Sequence, residues 1–227
     1  MSWVIPVPVK LKPSALDHVA LHVSDPDETA ARVLAQLPFR VIEETDDFLL
    51  LGREPHLGKL TLFRTEEGPR EHGVLRSVGV GIPCGTVERT LYLEDGLRLE
   101  LVPSDPEGEV EVVRVTLAVP DPGASARRWL DFGFEPVPKG SNGALRVRAG
   151  SQHLELVPGT PRDAERPLLN HLGVLVESFD DVKRVAESEG FEVTREVDAE
   201  NSRALFVRGP DGVELEYVEH KPSFALA

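Results

Sequence analysis

One β-α-β-β-β pattern, clearest between Asn170 and Glu219, constrains this chain more than any other feature. It opens with Asn170-His171-Leu172-Gly173-Val174-Leu175-Val176, an alternating run in which His171, Gly173 and Leu175 share one face of a half-buried strand. A helix follows, with Ser178 as N-cap, Asp180 and Asp181 in its first turn, an apolar stripe of Val182, Val185 and Ala186, and a stop at Gly190. Phe191 to Val197, Arg203 to Val207 and Val213 to Val218 read as three further strands, the last entered through Gly209-Pro210-Asp211-Gly212. On that last strand Leu215 and Tyr217 point one way, Glu214, Glu216 and Val218 the other. If the apolar side packs on the helix, Glu216 faces the concave side of the sheet together with His171. A histidine and a carboxylate on neighbouring strands are two ligands of a divalent metal that needs more.

The same pattern recurs upstream. Leu16 to Val23 repeats the opening strand with His18 in the place of His171. Pro26 starts a helix through Ala30, Val33, Leu34 and Leu37, strands follow at Phe39–Glu43 and Phe48–Leu51, and Lys59 to Phe63 closes the copy with Thr61 where Glu216 stands. A second, truncated copy runs from Arg76 to Ile82 almost directly into Val87 to Leu93, with no room for a full helix, and closes on Leu97 to Val102; Ser77 and Glu100 hold its two key places. The third copy has Val112 to Val119, a helix around Ala124 to Phe132, strands near Phe134 and Leu145, and a closing run from His153 to Val157, with Arg114 and Glu155 at the key places. Leu99-Glu100-Leu101-Val102-Pro103 recurs as Leu154-Glu155-Leu156-Val157-Pro158, and Asp-Gly precedes the closing strand at both 95 and 211. The expected fold is therefore α+β: four tandem βαβββ modules at 14–65, 72–103, 110–158 and 168–219, the second truncated, pairing into two curved mixed-sheet cups. Residues 1–13 read as an extended arm, and the linkers are the Pro-, Gly- and charge-rich stretches at 65–75, 103–109 and 158–167.

Composition excludes several partners. A formal net charge of -14 over 227 residues leaves no basic surface for nucleic acid or anionic membrane. The early apolar residues are broken by Pro6 and Pro8, so neither signal peptide nor transmembrane segment is expected. Cys84 is the sole cysteine, which forbids an internal disulfide, fits a reducing, cytoplasmic setting and reads as a small core residue. Asn and Gln occur only at Gln36, Asn142, Gln152, Asn170 and Asn201, a thermophile-like balance. The expected state is a monomer or homodimer acting on a small molecule.

A β-α-β-β-β unit with histidine on its first strand and glutamate on its last resembles the vicinal oxygen chelate superfamily, which includes glyoxalase I, bleomycin-resistance proteins and extradiol dioxygenases. The resemblance covers nearly the whole chain. It implies that two modules form a cup and that the first and last strands of both supply metal ligands, here drawn from His18, Thr61, Ser77, Glu100, Arg114, Glu155, His171 and Glu216. The last module is closest to the extradiol dioxygenases: Phe206 to Glu216 follows the end of their signature with Glu216 as ligand. Phe206 stands where that signature has tyrosine, and Val197 to Asn201 where it has histidine, so the residues that move protons in ring cleavage are replaced.

Two module pairings are open. Pairing in order gives one cup with His18, Thr61, Ser77 and Glu100 and another in which Arg114, charged at every relevant pH, stands among Glu155, His171 and Glu216 and would repel a cation. Pairing the first module with the fourth and the second with the third sorts the groups better. One cup then gathers His18, His171 and Glu216, suited to Fe(II), Mn(II), Zn(II) or Ni(II), with Thr61 at the fourth corner. The other joins Arg114 to Glu100 and Glu155 beside Ser77, a salt-bridged, metal-free remnant. Small residues, Ala20 and Gly173, leave room for substrate, and His22, Lys59, Arg203, Phe206 and Glu214 are further candidates to line the favoured cup. The metal would act as a Lewis acid on two neighbouring substrate oxygens, in a dioxygenase-like or lyase/isomerase-like reaction. The alternatives are a metal-free small-molecule binder of the bleomycin-resistance type, or a dioxygenase-like scaffold without catalysis. His153 and His220 read as solvated at strand ends, and His56 and His72 as loop residues.

Overall fold

The computed structural model describes residues 11–65, 73–83, 88–140, 143–161 and 166–222. Cys84, His72 and most of the arm expected over 1–13 fall outside them. The first module comprises β1 (Ala15–Val23), α1 (Pro26–Leu34), β2 (Arg40–Glu44), β3 (Phe48–Gly52) and β4 (Lys59–Arg64). The second has only strands, β5 (Leu75–Pro83), β6 (Arg89–Tyr92) and β7 (Arg98–Ser104). The third contains β8 (Glu111–Val119), α2 (Pro122–Asp131), β9 (Glu135–Val137), β10 (Leu145–Ala149) and β11 (Gln152–Pro158). The fourth contains β12 (Leu169–Leu175), α3 (Phe179–Glu189), β13 (Val193–Asp198), β14 (Ser202–Arg208) and β15 (Glu214–His220).

Local chemistry sets the helix boundaries. Asp25, Asp121 and Ser178 cap α1, α2 and α3 by accepting the backbone N–H three residues on, and Pro26 and Pro122 occupy the first turn, where a missing N–H costs nothing. Gly190 ends α3 in the left-handed region at φ 73°. The apolar stripe read through Leu37 overshoots: α1 stops at Leu34, and Leu37 is buried beyond it. Each helix lays its buried stripe on the back of a sheet, Val33 in α1, Trp129 in α2, and Val182, Val185 and Ala186 in α3. Burial of one such side chain contributes about 1.5–3 kcal/mol.

The strands form two mixed sheets. One runs β13-β14-β15-β12-β1-β4-β3-β2 and joins the fourth module to the first; the other runs β6-β7-β5-β8-β11-β10-β9 and joins the second to the third. β1 meets β12, and β5 meets β8, antiparallel at the centre of each sheet. The repeat read from the sequence is kept in the register. In every module the last-strand key residue pairs with the position two beyond the first-strand key residue: Ala20 with Thr61, Gly79 with Glu100, Thr116 with Glu155, and Gly173 with Glu216.

A second regularity was not visible in the sequence. The ladders of the central strands slip by one residue at Asp17, Asn170, Arg76 and Val113, each the residue immediately before a key position. Such bulges re-aim side chains and twist the sheet locally. The Asp-Gly echo also has a structural meaning. Asp95 and Asp211 adopt positive φ (55° and 60°) in tight turns, and each carboxylate reaches a neighbouring module. Asp95 accepts from the Ser24 backbone N–H (2.7 Å) at the start of the first module's helix, and Asp211 accepts from Trp129 Nε1 (3.1 Å), Ser125 and Arg128 of α2. Modules 1 and 2, and modules 3 and 4, are thus tied through helices and turns, while sheets tie 1 to 4 and 2 to 3. No helix among the described residues is long and apolar enough to cross a membrane.

Candidate metal centre

Sheet pairing brings the ends of the chain together. His18 Nε2, His171 Nε2 and Glu216 Oε2 form a triangle with edges of 2.9 Å (His18–His171), 3.0 Å (His18–Glu216) and 2.9 Å (His171–Glu216). All three side chains are largely buried, His171 most completely, at 3% exposed. Gly173, opposite His18 in the ladder, is required here: a Cβ on it would fall inside the His18 ring.

The bulges orient both imidazoles. His18 Nδ1 donates to Asp17 Oδ2 (2.7 Å), and His171 Nδ1 faces Asn170 Oδ1 (2.8 Å), so in each module the residue displaced by the bulge holds the histidine that follows it. The tautomer of His171 follows from a carbonyl. The Pro167 carbonyl can only accept, so His22 Nδ1 donates to it (2.8 Å) and His22 Nε2 accepts from Asn170 Nδ2 (2.8 Å); Asn170 Oδ1 then accepts from His171 Nδ1. The Nε2 lone pair of His171 is left pointing into the triangle.

Asp17 is the hub on the other side. Its buried carboxylate also accepts from Lys59 Nζ (3.1 Å) and His220 Nε2 (2.9 Å). Burial alone would raise its pKa, but Lys59, His18 and His220 together hold it far below the usual carboxylate range. For His18, burial opposes the charge, yet the hydrogen bonds and attraction of Asp17 and Glu216 outweigh it and hold the ring up at about 9. Burial likewise works against the Glu216 anion, and His171 and His18 override it, to about 2. In His171 burial prevails and pushes the pKa down, consistent with a neutral ring.

The donor set fits a divalent cation. A single proton on His18 Nε2 serves only two edges of the triangle and leaves the His171–Glu216 edge as two facing lone pairs. Ligands at right angles around an ion with bonds of about 2.1 Å stand about 3.0 Å apart, which matches all three edges. Two imidazole nitrogens and one carboxylate oxygen would hold such an ion and would supply a Lewis acid to the cup.

That cup is a cavity of about 500 Å³. Thr61 and Phe206 line it, with Phe48, Phe63 and Val218 as further walls; Phe206 stands edge-on to His171 with ring centres 5.2 Å apart. Lys59 also lines it, through its bond to Asp17. Three expected lining residues are elsewhere. Arg203 falls on the opposite parity of β14 from Phe206, stacks on Phe179 (4.1 Å to the ring centre) and pairs with Asp180 on the helix side. His22 is occupied by Pro167 and Asn170 behind His171, and Glu214 accepts from Thr194 Oγ1 (2.5 Å). His220 is not a solvated strand end: β15 runs two residues further than expected, and the ring, 13% exposed, lines the cup against Asp17. His153 is half-buried in the second sheet, where burial and then Arg146 and Arg114 push its pKa down to about 4.

Asp17, Asn170, His220 and Arg195 were missed in the sequence. Arg195 lies flat over Phe206, 3.8 Å from the ring centre, at the mouth of the cup. A signal existed for the first two, since both ligand-candidate histidines follow a residue whose side-chain oxygen can accept, Asp17-His18 and Asn170-His171. In the second cup Glu100 accepts from Arg114 (2.6 Å), and Glu155 lies against Arg114 (3.6 Å) and Arg146 (3.2 Å).

Residues 111–217 match the family model for the Glyoxalase/Bleomycin resistance protein/Dioxygenase superfamily. No curated protein matches the sequence. Among solved structures, a presumed dioxygenase from Bacillus subtilis is similar over 95% of this chain and 88% of its own at 19% identity, with a TM-score of 0.73. Glyoxalase I from Zea mays is similar over 90% of this chain and 92% of its own at 14% identity, with a TM-score of 0.67. With the module register and the paired sheets, these matches show that the resemblance to the vicinal oxygen chelate superfamily holds, in sequence over residues 111–217 and in fold over nearly the whole chain.

Proposed function

We propose that the outer-module cup is the active site of a metal-dependent enzyme acting on a small substrate with two neighbouring oxygens. His18, His171 and Glu216 would hold the metal, one of Fe(II), Mn(II), Zn(II) or Ni(II). The observation that carries this reading is the triangle of three donor atoms at 2.9–3.0 Å, two of them on imidazoles braced through Nδ1. When bound, the metal supplies Lewis acidity to the two substrate oxygens. The protein's part is to orient and enclose. Thr61 offers a hydroxyl at the fourth corner to position a substrate oxygen or a water. Phe63 and Phe206 present apolar walls to a ring or short carbon chain and keep solvent off the reacting oxygens. A carboxylate at the fourth corner would favour a glyoxalase-like isomerisation; with Thr61 there, dioxygenase-like or lyase chemistry suits the cup better.

The test is metal content after purification without a polyhistidine tag. Near-stoichiometric metal in the wild type, lost in His171→Ala with the fold intact by circular dichroism, is the expected result. Absence of bound metal from the wild type after incubation with each of the four ions would overturn the reading and leave a metal-free binding protein.

A further inference from the structure

We propose that Arg195 is the specificity-determining residue of the outer cup: it selects a substrate that carries an anionic group, a carboxylate in the simplest case, and turns that group toward the fourth module. This rests on the metal-dependent reading above and adds to it the charge of the substrate and its orientation. The guanidinium carbon of Arg195 sits 3.8 Å from the centre of the Phe206 ring, within the lining of the cavity, and among the described residues it forms no ion pair. Lys59, the lysine of the same lining, is held by Asp17 (3.1 Å). On a chain with a formal net charge of -14 an anion is repelled on average, so a cation without a carboxylate partner at the mouth of the cup reverses that field locally.

The ladders set this charge against an opposite one. In the fourth module Arg195 pairs with Phe206 and Phe206 with Glu216, a row that runs inward from the rim of the cup to the metal candidates. In the first module Glu43 pairs with Leu50 and Leu50 with Thr61, which is the same row at the equivalent places. Residues directly opposite in a ladder share a face, and all of these line the cavity. The strands at the two ends of the outer sheet therefore differ at one matched position, with arginine on β13 and glutamate on β2. The Glu43 carboxylate also forms no ion pair among the described residues, and Asp47, in the turn after β2, adds to the negative charge on its side. Glu200 lines the cup from the tip of the β13–β14 hairpin, beyond the Asp198–Arg203 pair and away from the Arg195 row.

Strand spacing sets the reach. Arg195 is rooted two strands from Glu216, about 10 Å away at about 4.8 Å per strand, and its fold onto Phe206 brings the charge back over the strand between them. A substrate whose two oxygens lie at the metal candidates therefore meets the guanidinium about the width of one six-membered ring further out. There a carboxylate accepts parallel N–H bonds from the planar guanidinium, while Phe63 and Phe206 wall the carbons between. The same group turned the other way would face Glu43 and Asp47 and be repelled. A substrate with one charged end is thus held in one of its two orientations, which fixes the side of the cup on which each of its oxygens lies.

The experiment measures binding to Zn(II)-loaded protein by calorimetry, with two probes of the same shape, 3,4-dihydroxybenzoate and its neutral amide. The wild type is expected to bind the acid at least about tenfold more tightly than the amide, as for a hydrogen bond to a charged group. Arg195→Gln, which keeps a polar side chain without the charge, should bind the two alike with its zinc content unchanged. Glu43→Gln should keep or widen the preference of the wild type. A zinc-loaded wild type with no preference for the acid, an R195Q that retains the preference, or an E43Q that loses it would overturn the proposal and leave Arg195 as a cover over Phe206. A wild type that holds no zinc would overturn the metal reading and this proposal with it, so metal content tells the two failures apart.

Discussion

The two sheets put nearly the same backbone to different uses. Both have an antiparallel pair of opening strands at the centre, a bulge before each key residue and a glycine opposite one key side chain, Gly173 under His18 and Gly79 under Arg114. They differ in the four side chains displayed. The outer cup presents His18, Thr61, His171 and Glu216, and the donor atoms of the two histidines and Glu216 converge on one point. In the inner cup Arg114 lies against Glu100 and Glu155, so the cation is covalently part of the protein. The four matching bulges and registers thus fix where groups converge, and residue type at the convergence decides whether the centre offers donors to a cation or is closed by a guanidinium.

The largest expected difference between the cups is in metal uptake. His171→Ala should weaken metal binding by well over about 100-fold, since loss of a mere supporting hydrogen bond already costs about 10–100-fold. Glu155→Ala, in the inner cup, should leave uptake unchanged; elemental analysis after dialysis measures both. In stability the order reverses. Glu155→Ala removes one of the two carboxylates against Arg114 and the one beside Arg146 and should cost about 1–3 kcal/mol in denaturant unfolding. The glycines sharpen the contrast further. A Cβ at Gly79 would stand 2.9 Å from Arg114 Cβ, and one at Gly173 would enter the His18 ring, so either alanine variant should lose about 1–3 kcal/mol, but only G173A should also lose metal affinity.

The smallest effect is in pH, where in chelator-treated protein His18 and His153 should pull in opposite directions. His18 is held at about 9 against an ordinary 6.5, so the folded state binds the extra proton between those values. Its stabilisation is complete below 6.5 and lost as pH rises through about 9. His153 is held at about 4, so there the unfolded chain binds the extra proton, and stability is lost as pH falls from 6.5 through about 4. Unfolding curves from pH 4 to 9 for the wild type and His153→Gln measure this; the variant should lessen the loss on the acid side, where His171 and Glu216 also contribute, and leave the alkaline side alone.

Much of this was legible in the sequence because sheets have a strict period. Alternation at Asn170–Val176 and Val213–Val218 placed His171 and Glu216 on one face, and the matching copies placed His18 and Thr61. Charge sorted the pairing, since Arg114 and a metal do not share a cup. What alternation cannot see is a one-residue slip. Asp17 and Asn170 are adjacent to the histidines that they brace, which a regular strand forbids and a bulge permits. Arg203 was lost for the complementary reason: it is polar and next to Ala204, yet parity sends it to the helix side. His220 was hidden because a polar ending, Glu219-His220-Lys221, reads as loop while the ladder with β14 continues to pair Ser202 with His220.

The antiparallel contact of β1 with β12 also sets a timetable for biogenesis. His18 leaves the ribosome early, but its companions are made only after the third module is complete, so no shorter nascent fragment can sequester a cation in the way proposed here. The inner sheet, made of adjacent modules, can assemble first and present a finished platform. In the reading proposed here, cation uptake by the outer cup must therefore wait until β15 has been made.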